Sequence, residues 1–170
     1  MCTGSGVIAV VLARELEASQ VIAVDSSADA LHIASRNIHR YELENTVLPV
    51  CSDLFTGIQK GMGFELIVAN PPYIDEADIA GLEPEVRDWE PRTALTGGAE
   101  GLAVIKMLAD QAFRYLVPGG WLFVEIGSDQ GEKAYKLFAE HAGNEYEHVA
   151  ILPDWSGRQR LLQARRKGKM

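Results

Sequence analysis

The chain has 170 residues, of which 47% are hydrophobic, and its formal net charge at neutral pH is −8. This length and composition suit one globular α/β domain, so we expect residues 1–170 to form a single domain. An acidic chain is poorly suited to phosphate-rich duplex DNA, which disfavours direct nucleic-acid binding. The sequence has no apolar stretch of the roughly 20 residues that a membrane span needs. Two isolated cysteines are typical of a reducing compartment, so we expect a cytoplasmic protein without membrane contact.

The chain opens with a glycine-containing turn, Cys2-Thr3-Gly4-Ser5-Gly6, hereafter the glycine turn. A helix is predicted directly after it, because apolar residues recur at helical spacing. Glycines before a helix N-terminus let the backbone approach a ligand closely. The glycine turn therefore predicts a nucleotide-type binding loop, although such turns also occur in loops that bind nothing.

The next element is a buried strand, Val21-Ile22-Ala23-Val24, which ends in Asp25. Asp25 follows the glycine turn by about 20 residues, the distance at which an acidic residue meets ribose hydroxyls in dinucleotide-type sites. The alternative is that Asp25 caps the helix predicted over residues 28–40. We favour the ribose role because the glycine turn precedes it.

A third apolar run, Val47 to Cys51, is followed by Ser52-Asp53-Leu54-Phe55. Asp53 is a candidate acceptor for the amino group of an adenine ring, and Leu54 is a candidate apolar contact for the same ring. An aspartate after a strand is also a common turn residue, so the structural role remains open.

The next predicted strand, Leu66-Ile67-Val68-Ala69, leads into Asn70-Pro71-Pro72-Tyr73, hereafter the proline turn. Two prolines remove two N–H donors and stiffen the backbone, which predicts carbonyl groups that face a pocket. A planar –NH2 group could donate to the Asn70 side-chain oxygen and to a proline carbonyl while the Tyr73 ring covers its flat face. The proline turn thus predicts methyl transfer onto an amide or amino nitrogen, and the alternative is an ordinary turn.

The remaining chain alternates irregular, helical and strand patterns. Residues 74–100, hereafter the flap, are acidic, rich in proline and glycine and weakly periodic, which favours a substrate-facing segment over a surface connection. We predict further elements at Leu102–Leu116 (helix, broken by Pro118-Gly119-Gly120), Trp121–Ile126 (strand), Gln130–Ala142 (helix), and Tyr146–Leu152 and Arg160–Ala164 (strands).

These patterns predict an α/β fold, a Rossmann-like, doubly wound and mostly parallel sheet with helices on both faces and an antiparallel hairpin at its edge. Because carboxyl ends of parallel strands meet at one edge of a sheet, we expect the glycine turn, Asp25, Asp53 and the proline turn to converge on one crevice. The four histidines lack metal-type spacing, so we predict no metal site.

The chain resembles the HemK-like protein-(glutamine-N5) methyltransferases, which modify the Gly-Gly-Gln loop of peptide chain release factors. The glycine turn resembles the S-adenosylmethionine motif of that family, and the proline turn resembles its substrate motif. Further similar segments follow in the family's order, namely Trp89–Leu95, Gly97-Gly98, Gly101-Leu102, Pro118–Leu122, Glu125-Ile126-Gly127 and Asp154–Arg160.

The resemblance implies S-adenosylmethionine as cofactor, S-adenosylhomocysteine as product and a peptide chain release factor as substrate. The implied reaction is in-line attack of a glutamine amide nitrogen on the sulfonium methyl. Asn70, Pro71, Pro72 and Tyr73 are the implied catalytic residues, and the implied cofactor-binding residues are Cys2, Thr3, Gly4, Ser5, Gly6, Asp25, Asp53, Leu54 and Asn70. An amide nitrogen is a poor nucleophile, so positioning and polarisation would supply the catalysis.

Two other functions remain open. The proline turn is also similar to motifs of adenine-N6 and guanine-N2 methyltransferases, although the acidic composition counts against a nucleic-acid substrate. In the resembled family a central strand and a helical recognition domain precede the glycine turn, whereas here Met1 directly precedes Cys2. We therefore expect the printed sequence to lack both, which keeps an inactive scaffold with the cofactor fold as the second alternative.

Overall fold

The computed structural model describes residues 1–16, 20–141 and 143–168, with the side chain of His141 left aside. The chain divides into two compact units, residues 1–59 and residues 60–170. Among the described residues, no helix has both the length and the apolar composition required to cross a bilayer.

The first unit contains two helices and a two-stranded parallel sheet. Its elements are α1 (Val7–Glu15), β1 (Val21–Asp25), α2 (Ala28–Arg40) and β2 (Val47–Cys51), and β1 pairs with β2 from Val21 opposite Val47 to Asp25 opposite Cys51. These bounds confirm the two predicted strands and both predicted helices. A buried cluster forms the core and consists of Ala9, Val10, Ala23, Ile38 and Val47.

Helix α2 begins where the sequence provides a cap. The Ser27 hydroxyl accepts a hydrogen bond from the Ala30 backbone N–H at 3.2 Å, and Asp29 lies in the first turn, where a negative charge is favourable. Leu31, Ala34 and Ile38 are buried at helical spacing. Helix α1 buries fewer of its apolar residues than α2 does. Ala9 and Val10 are buried, whereas Val7, Ile8 and Val11 are exposed.

The second unit contains a four-stranded mixed sheet of β3 (Phe64–Ala69), β4 (Leu116–Glu125), β5 (Tyr146–Pro153) and β6 (Gln159–Arg166), in the order β3-β4-β6-β5. Strands β3 and β4 are parallel, and β6 is antiparallel to both β4 and β5. The predicted antiparallel edge hairpin is therefore confirmed. Alternate residues of β4, among them Leu122 and Val124, are fully buried, as a half-covered strand requires.

The helices of the second unit are α3 (Pro84–Arg87), α4 (Arg92–Leu95), α5 (Ala103–Gln111) and α6 (Gly131–Lys136), with α6 continued by a π-helical turn, Leu137–His141. Three-residue 3-10 turns lie at Ile79–Gly81, Ala99–Gly101 and Ala112–Arg114. The last residue of the predicted helix 130–142, Ala142, lies outside the described residues.

The prediction that a helix extends to Leu116 is wrong. The helix ends in the 3-10 turn at Arg114, and Leu116 is the first residue of β4, where it pairs with Phe64. A buried Leu satisfies helical spacing and strand burial equally, so periodicity alone assigned it to the helix. The Pro118-Gly119-Gly120 segment lies inside β4, where a register shift between Phe64 and Leu66 accommodates it.

Candidate functional site

In the first unit the glycine turn crosses the end of β1 before it enters α1. The Thr3 N–H donates to the Val24 carbonyl at 2.9 Å, and the Gly6 N–H donates to the Thr3 carbonyl at 2.8 Å. Gly4 has a φ of +54°, and an added Cβ there would meet no atom within 4 Å. Gly6 has a φ of +81°, and its Cβ would lie 3.0 Å from the Cβ of Ala34. Gly6 thus permits close packing on α2, whereas Gly4 leaves open space beside the turn.

Asp25 fixes the glycine turn through its carboxylate. One oxygen, Oδ2, accepts a hydrogen bond from the Gly4 N–H at 2.8 Å, and Oδ1 accepts one from the Ser27 N–H at 2.9 Å. The helix-cap alternative for Asp25 is wrong, because Ser27 caps α2. Each carboxylate oxygen has a second acceptor position, so this anchoring role is compatible with binding ribose hydroxyls.

The thiol of Cys2 is affected electrostatically by the two acidic residues predicted to bind the cofactor in this unit. The pKa of Cys2 is raised to about 11, chiefly by burial; the N-terminal ammonium lowers it, and the negative charges of Asp25 and Asp53 raise it. Both carboxylates therefore act on one thiol in the glycine turn. The structure brings these three predicted residues together at the carboxyl ends of β1 and β2.

The turn after β2 is held by Ser52, which is buried. Its hydroxyl accepts a hydrogen bond from the Gly57 N–H at 2.7 Å and lies 3.1 Å from the Leu54 carbonyl, to which it donates. Leu54 has a φ of +44° and is buried, whereas Asp53 is exposed. No side-chain hydrogen bond of Asp53 occurs within the described parts of the chain, so its carboxylate is available to a ligand.

These residues fit a nucleoside-type cofactor such as S-adenosylmethionine. The open space beside Gly4 would admit a ligand atom, and the available carboxylate of Asp53 can accept hydrogen bonds from an amino group. No group of three or more His, Cys, Asp or Glu side chains in the described residues could hold a metal ion.

In the second unit the proline turn follows β3. Pro71 is fully buried, whereas the side chain of Asn70 is exposed. In the described chain, the Asn70 side chain makes no hydrogen bond, so its carbonyl and amide groups are available. A rigid, buried backbone therefore presents one free side-chain amide at the end of a strand.

The Tyr73 side chain is held by two charged partners. Its hydroxyl donates to Oε1 of Glu125 at 3.2 Å and accepts from Nη1 of Arg160 at 3.4 Å, and the Arg160 guanidinium lies 6.0 Å from the centre of the ring. Burial raises the pKa of Tyr73, and the negative charge of Glu125 raises it further. The hydroxyl is therefore protonated at neutral pH and fixed by Glu125.

The flap and the residue directly after it, Gly101, cover two carbonyl groups of the proline turn. A Cβ added to Gly97 would lie 2.6 Å from the Pro72 carbonyl oxygen, and a Cβ added to Gly101 would lie 2.0 Å from that of Tyr73. The prediction that the carbonyls of this turn face a pocket is thus wrong for Pro72 and Tyr73, because Gly97 and Gly101 pack on them. The flap returns to its own start, where Ile74 bridges to Thr96.

Sequence reasoning missed one residue of this unit, Gln130. Its side-chain amide donates to the carbonyl oxygens of Tyr73, at 2.9 Å, and of Glu100, at 3.0 Å. Glutamine at the start of a helix carries no periodic signal, so only its hydrogen bonds identify it. Arg160 lies within a segment that the motifs predicted, and its contact with Tyr73 could not be read from spacing.

Comparison with solved structures assigns the fold. A methyltransferase from Pyrococcus furiosus has a TM-score of 0.66 at 20% identity, and the match covers 98% of this chain and 72% of that one. A ribosomal protein L11 methylase from Lactobacillus delbrueckii subsp. bulgaricus has a TM-score of 0.66 at 25% identity, covering 98% and 67%. The chain therefore has the Rossmann-like fold of methyltransferases, as predicted.

Relatives with similar sequences indicate which kind of methyltransferase the chain resembles. The Methyltransferase small domain family matches residues 1–82. Release factor glutamine methyltransferases are 45% identical over 138 residues in Geobacter sulfurreducens and 43% identical over 163 residues in Thermosynechococcus vestitus, which is 80% and 95% of this chain. The chain spans about half the length of these relatives, 47% and 55%. Over most of its length the chain is similar to release factor glutamine methyltransferases, so the predicted resemblance to that family is confirmed.

Proposed function

We propose that the chain carries out methyl transfer from S-adenosylmethionine to the side-chain amide nitrogen (N5) of the glutamine in the Gly-Gly-Gln loop of a peptide chain release factor. The observation that carries the proposal is the free amide of Asn70 on the rigid proline turn. A primary amide is self-complementary to another primary amide, since each has one acceptor and two donors. The names of the bacterial relatives support the same acceptor.

The first unit supplies the proposed cofactor contacts. Asp25 would accept from ribose hydroxyls while it anchors Gly4, and Asp53 would accept from the adenine amino group beside Leu54. Cys2, Thr3, Ser5 and Gly6 complete the glycine turn against which the cofactor would lie. When bound, S-adenosylmethionine supplies an electrophilic methyl group, and S-adenosylhomocysteine is the product.

The second unit supplies the proposed acceptor contacts. The Asn70 oxygen would accept one N–H of the glutamine amide, and the Tyr73 ring would cover the flat face of that amide. These contacts orient the nitrogen and polarise its N–H groups. No dedicated base is required, because the nitrogen becomes far more acidic once it is methylated.

The flap is the proposed docking surface for the protein substrate. It directly follows Tyr73, and it carries Trp89, which is 85% exposed. Exposed tryptophan is enriched among the residues that dominate protein–protein binding energy. Because the proposed substrate acts in translation, we also propose a cytoplasmic location.

The test is methyl transfer from labelled S-adenosylmethionine to a release factor, with the same release factor carrying a substituted Gly-Gly-Gln glutamine as control. Mass spectrometry then locates the label. Label on that glutamine alone supports the proposal. Transfer to adenine or guanine amino groups of nucleic acid, in a parallel reaction, would instead support the other methyltransferase class. Cofactor binding without any transfer would point to a different substrate, and absence of cofactor binding as well would support the scaffold alternative.

A further inference from the structure

Gln130 links three separate segments of the second unit through one buried side chain. It is 6% exposed and directly precedes α6. Its Nε2 donates to the carbonyl of Tyr73 at 2.9 Å and to the carbonyl of Glu100 at 3.0 Å, and its Oε1 accepts from the Gly127 N–H at 2.8 Å. Both amide hydrogens and the amide oxygen are therefore used.

Glu100, the last residue of the flap, accepts one of the Gln130 hydrogen bonds and has a strained backbone conformation. Glu100 has a φ of +57°, a left-handed conformation that is costly for a residue with a side chain. Its N–H donates to Oδ2 of Asp75 at 2.9 Å, and its carboxylate pairs with Nζ of Lys133 at 2.7 Å. The surrounding contacts, including that of Gln130, keep Glu100 in this conformation.

The backbone is tightly packed around the hydrogen bonds of Gln130. A Cβ on Gly101, whose φ is +65°, would lie 2.0 Å from the Tyr73 carbonyl oxygen and 2.6 Å from Nε2 of Gln130. The backbone at Gly101, directly after the flap, thus lies against the Tyr73 carbonyl and the Gln130 amide. A change at Gln130 therefore alters the contacts of both the proline turn and the end of the flap.

We propose that Gln130 is a positioning residue that fixes Tyr73 and the end of the flap as one rigid acceptor-binding element. The inference rests on the proposed function, because it assigns Gln130 a role in orienting the methyl acceptor. Two carbonyl oxygens meet at this point, so a double N–H donor is required between them. Glutamate in place of Gln130 would turn a carboxylate towards both carbonyls, and methionine would fill the space without donating.

The first experiment compares Gln130→Met and Gln130→Glu with the wild-type protein in the release factor assay. We expect kcat to fall about 10- to 100-fold, because misplaced acceptor contacts act on the chemical step. We expect the KM for S-adenosylmethionine to change less than about twofold, because Gln130 contacts the proline turn rather than the glycine turn. Lys136→Met is the matched control, since it removes an exposed ion pair to Glu132 on the same helix and leaves the contacts of Gln130 and Glu100 intact. A kcat within about twofold of wild type for both Gln130 variants would overturn the inference.

A second measurement does not depend on the substrate. The protein is labelled with 3-fluorotyrosine, and the 19F resonance of Tyr73 is assigned by its loss in Tyr73→Phe. We expect Gln130→Met to shift or broaden that resonance while Lys136→Met leaves it unchanged. An unchanged Tyr73 resonance in Gln130→Met overturns the inference even if the wild type methylates release factor. A wild type that methylates no release factor would contradict the proposed function, and the resonance would still decide whether Gln130 positions Tyr73.

Discussion

The Tyr73 hydroxyl donates a hydrogen bond to Glu125 at 3.2 Å, which joins the proline turn to the carboxyl end of β4. These two residues are 52 positions apart in the sequence. A hydrogen bond to a charged acceptor contributes about 1.5–3 kcal/mol. Arg160 lies on the other side of the same hydroxyl, so Tyr73 is oriented from two directions.

The first prediction distinguishes the contribution of the Tyr73 ring to kcat from that of its hydroxyl. We expect Tyr73→Phe to lower kcat about tenfold or less, because the ring can still cover the acceptor amide, and Tyr73→Ala to lower it about 100-fold or more. Single-turnover methyl transfer to a release factor is the measurement. Tyr41→Phe, which removes the hydroxyl of an exposed tyrosine in the first unit, is the control. Equal losses in both Tyr73 variants would contradict a stacking role.

The second prediction concerns pH. The pKa of Tyr73 is raised above its ordinary value of 10.0 by burial and then by Glu125. Because the folded-state pKa is higher than the unfolded one, the stability that this group contributes is complete below pH 10 and is lost as pH rises through the folded pKa. We expect Glu125→Gln to lower the Tyr73 pKa, since it removes the negative charge. The difference in absorbance at 295 nm between each protein and its Tyr73→Phe version measures it, and an unchanged midpoint would exclude a charge effect of Glu125.

The third prediction tests Asn70 as an acceptor-binding residue. Its side chain is exposed, so Asn70→Ala should change the free energy of unfolding by less than about 0.5 kcal/mol. We expect methyl transfer to be abolished while cofactor affinity, measured by calorimetry, is partly retained. Parallel loss of turnover and cofactor binding would instead make Asn70 mainly a cofactor residue.

The fourth prediction tests the flap as a docking surface. Removing an exposed tryptophan that contacts a partner costs about 2 kcal/mol or more, so we expect Trp89→Ala to raise the KM for the release factor about 30-fold or more. The kcat should change little, because Trp89 contacts no reacting group. Tyr135→Ala, an exposed aromatic change on α6, is the control. An unchanged KM in Trp89→Ala would place substrate docking elsewhere.

The sequence predicted elements whose signal is local. Helix α2 has a cap at Ser27 and buried residues at helical spacing, and strand β1 is a continuous apolar run, so both were placed correctly. The end of the helix before β4 was misplaced because Leu116 suits either element. The continuation of α6 as a π-helical turn has no sequence signature of this kind.

The same distinction, between residues with a local sequence signal and residues without one, applies to the candidate site. The glycine and proline turns are contiguous motifs, so the sequence identified them. Gln130 acts through carbonyl groups at positions 73 and 100, and any residue type supplies a carbonyl. Such a contact depends on chain folding rather than on side-chain pattern, which is why no spacing rule predicted it.

The last prediction concerns stability apart from function. The Tyr146 hydroxyl accepts a hydrogen bond from the Phe113 N–H at 3.0 Å and donates to the Ala109 carbonyl at 3.2 Å, so it joins β5 to the end of α5. Burial raises the pKa of Tyr146 well above its usual range. Tyr146→Phe would keep the ring but leave a buried N–H without its partner, which costs about 1–3 kcal/mol.

We therefore expect Tyr146→Phe to lower the free energy of unfolding in urea by about 1–3 kcal/mol while the kcat of the remaining folded protein stays close to wild type. Tyr135→Phe, at an exposed position, should change neither quantity. Because the raised folded-state pKa of Tyr146 adds stability only while the hydroxyl is protonated, the difference between wild type and Tyr146→Phe should be constant from neutral pH up to about 10 and shrink above it. A difference that grows above pH 10 would mean that the Tyr146 hydroxyl does not hold β5 against α5.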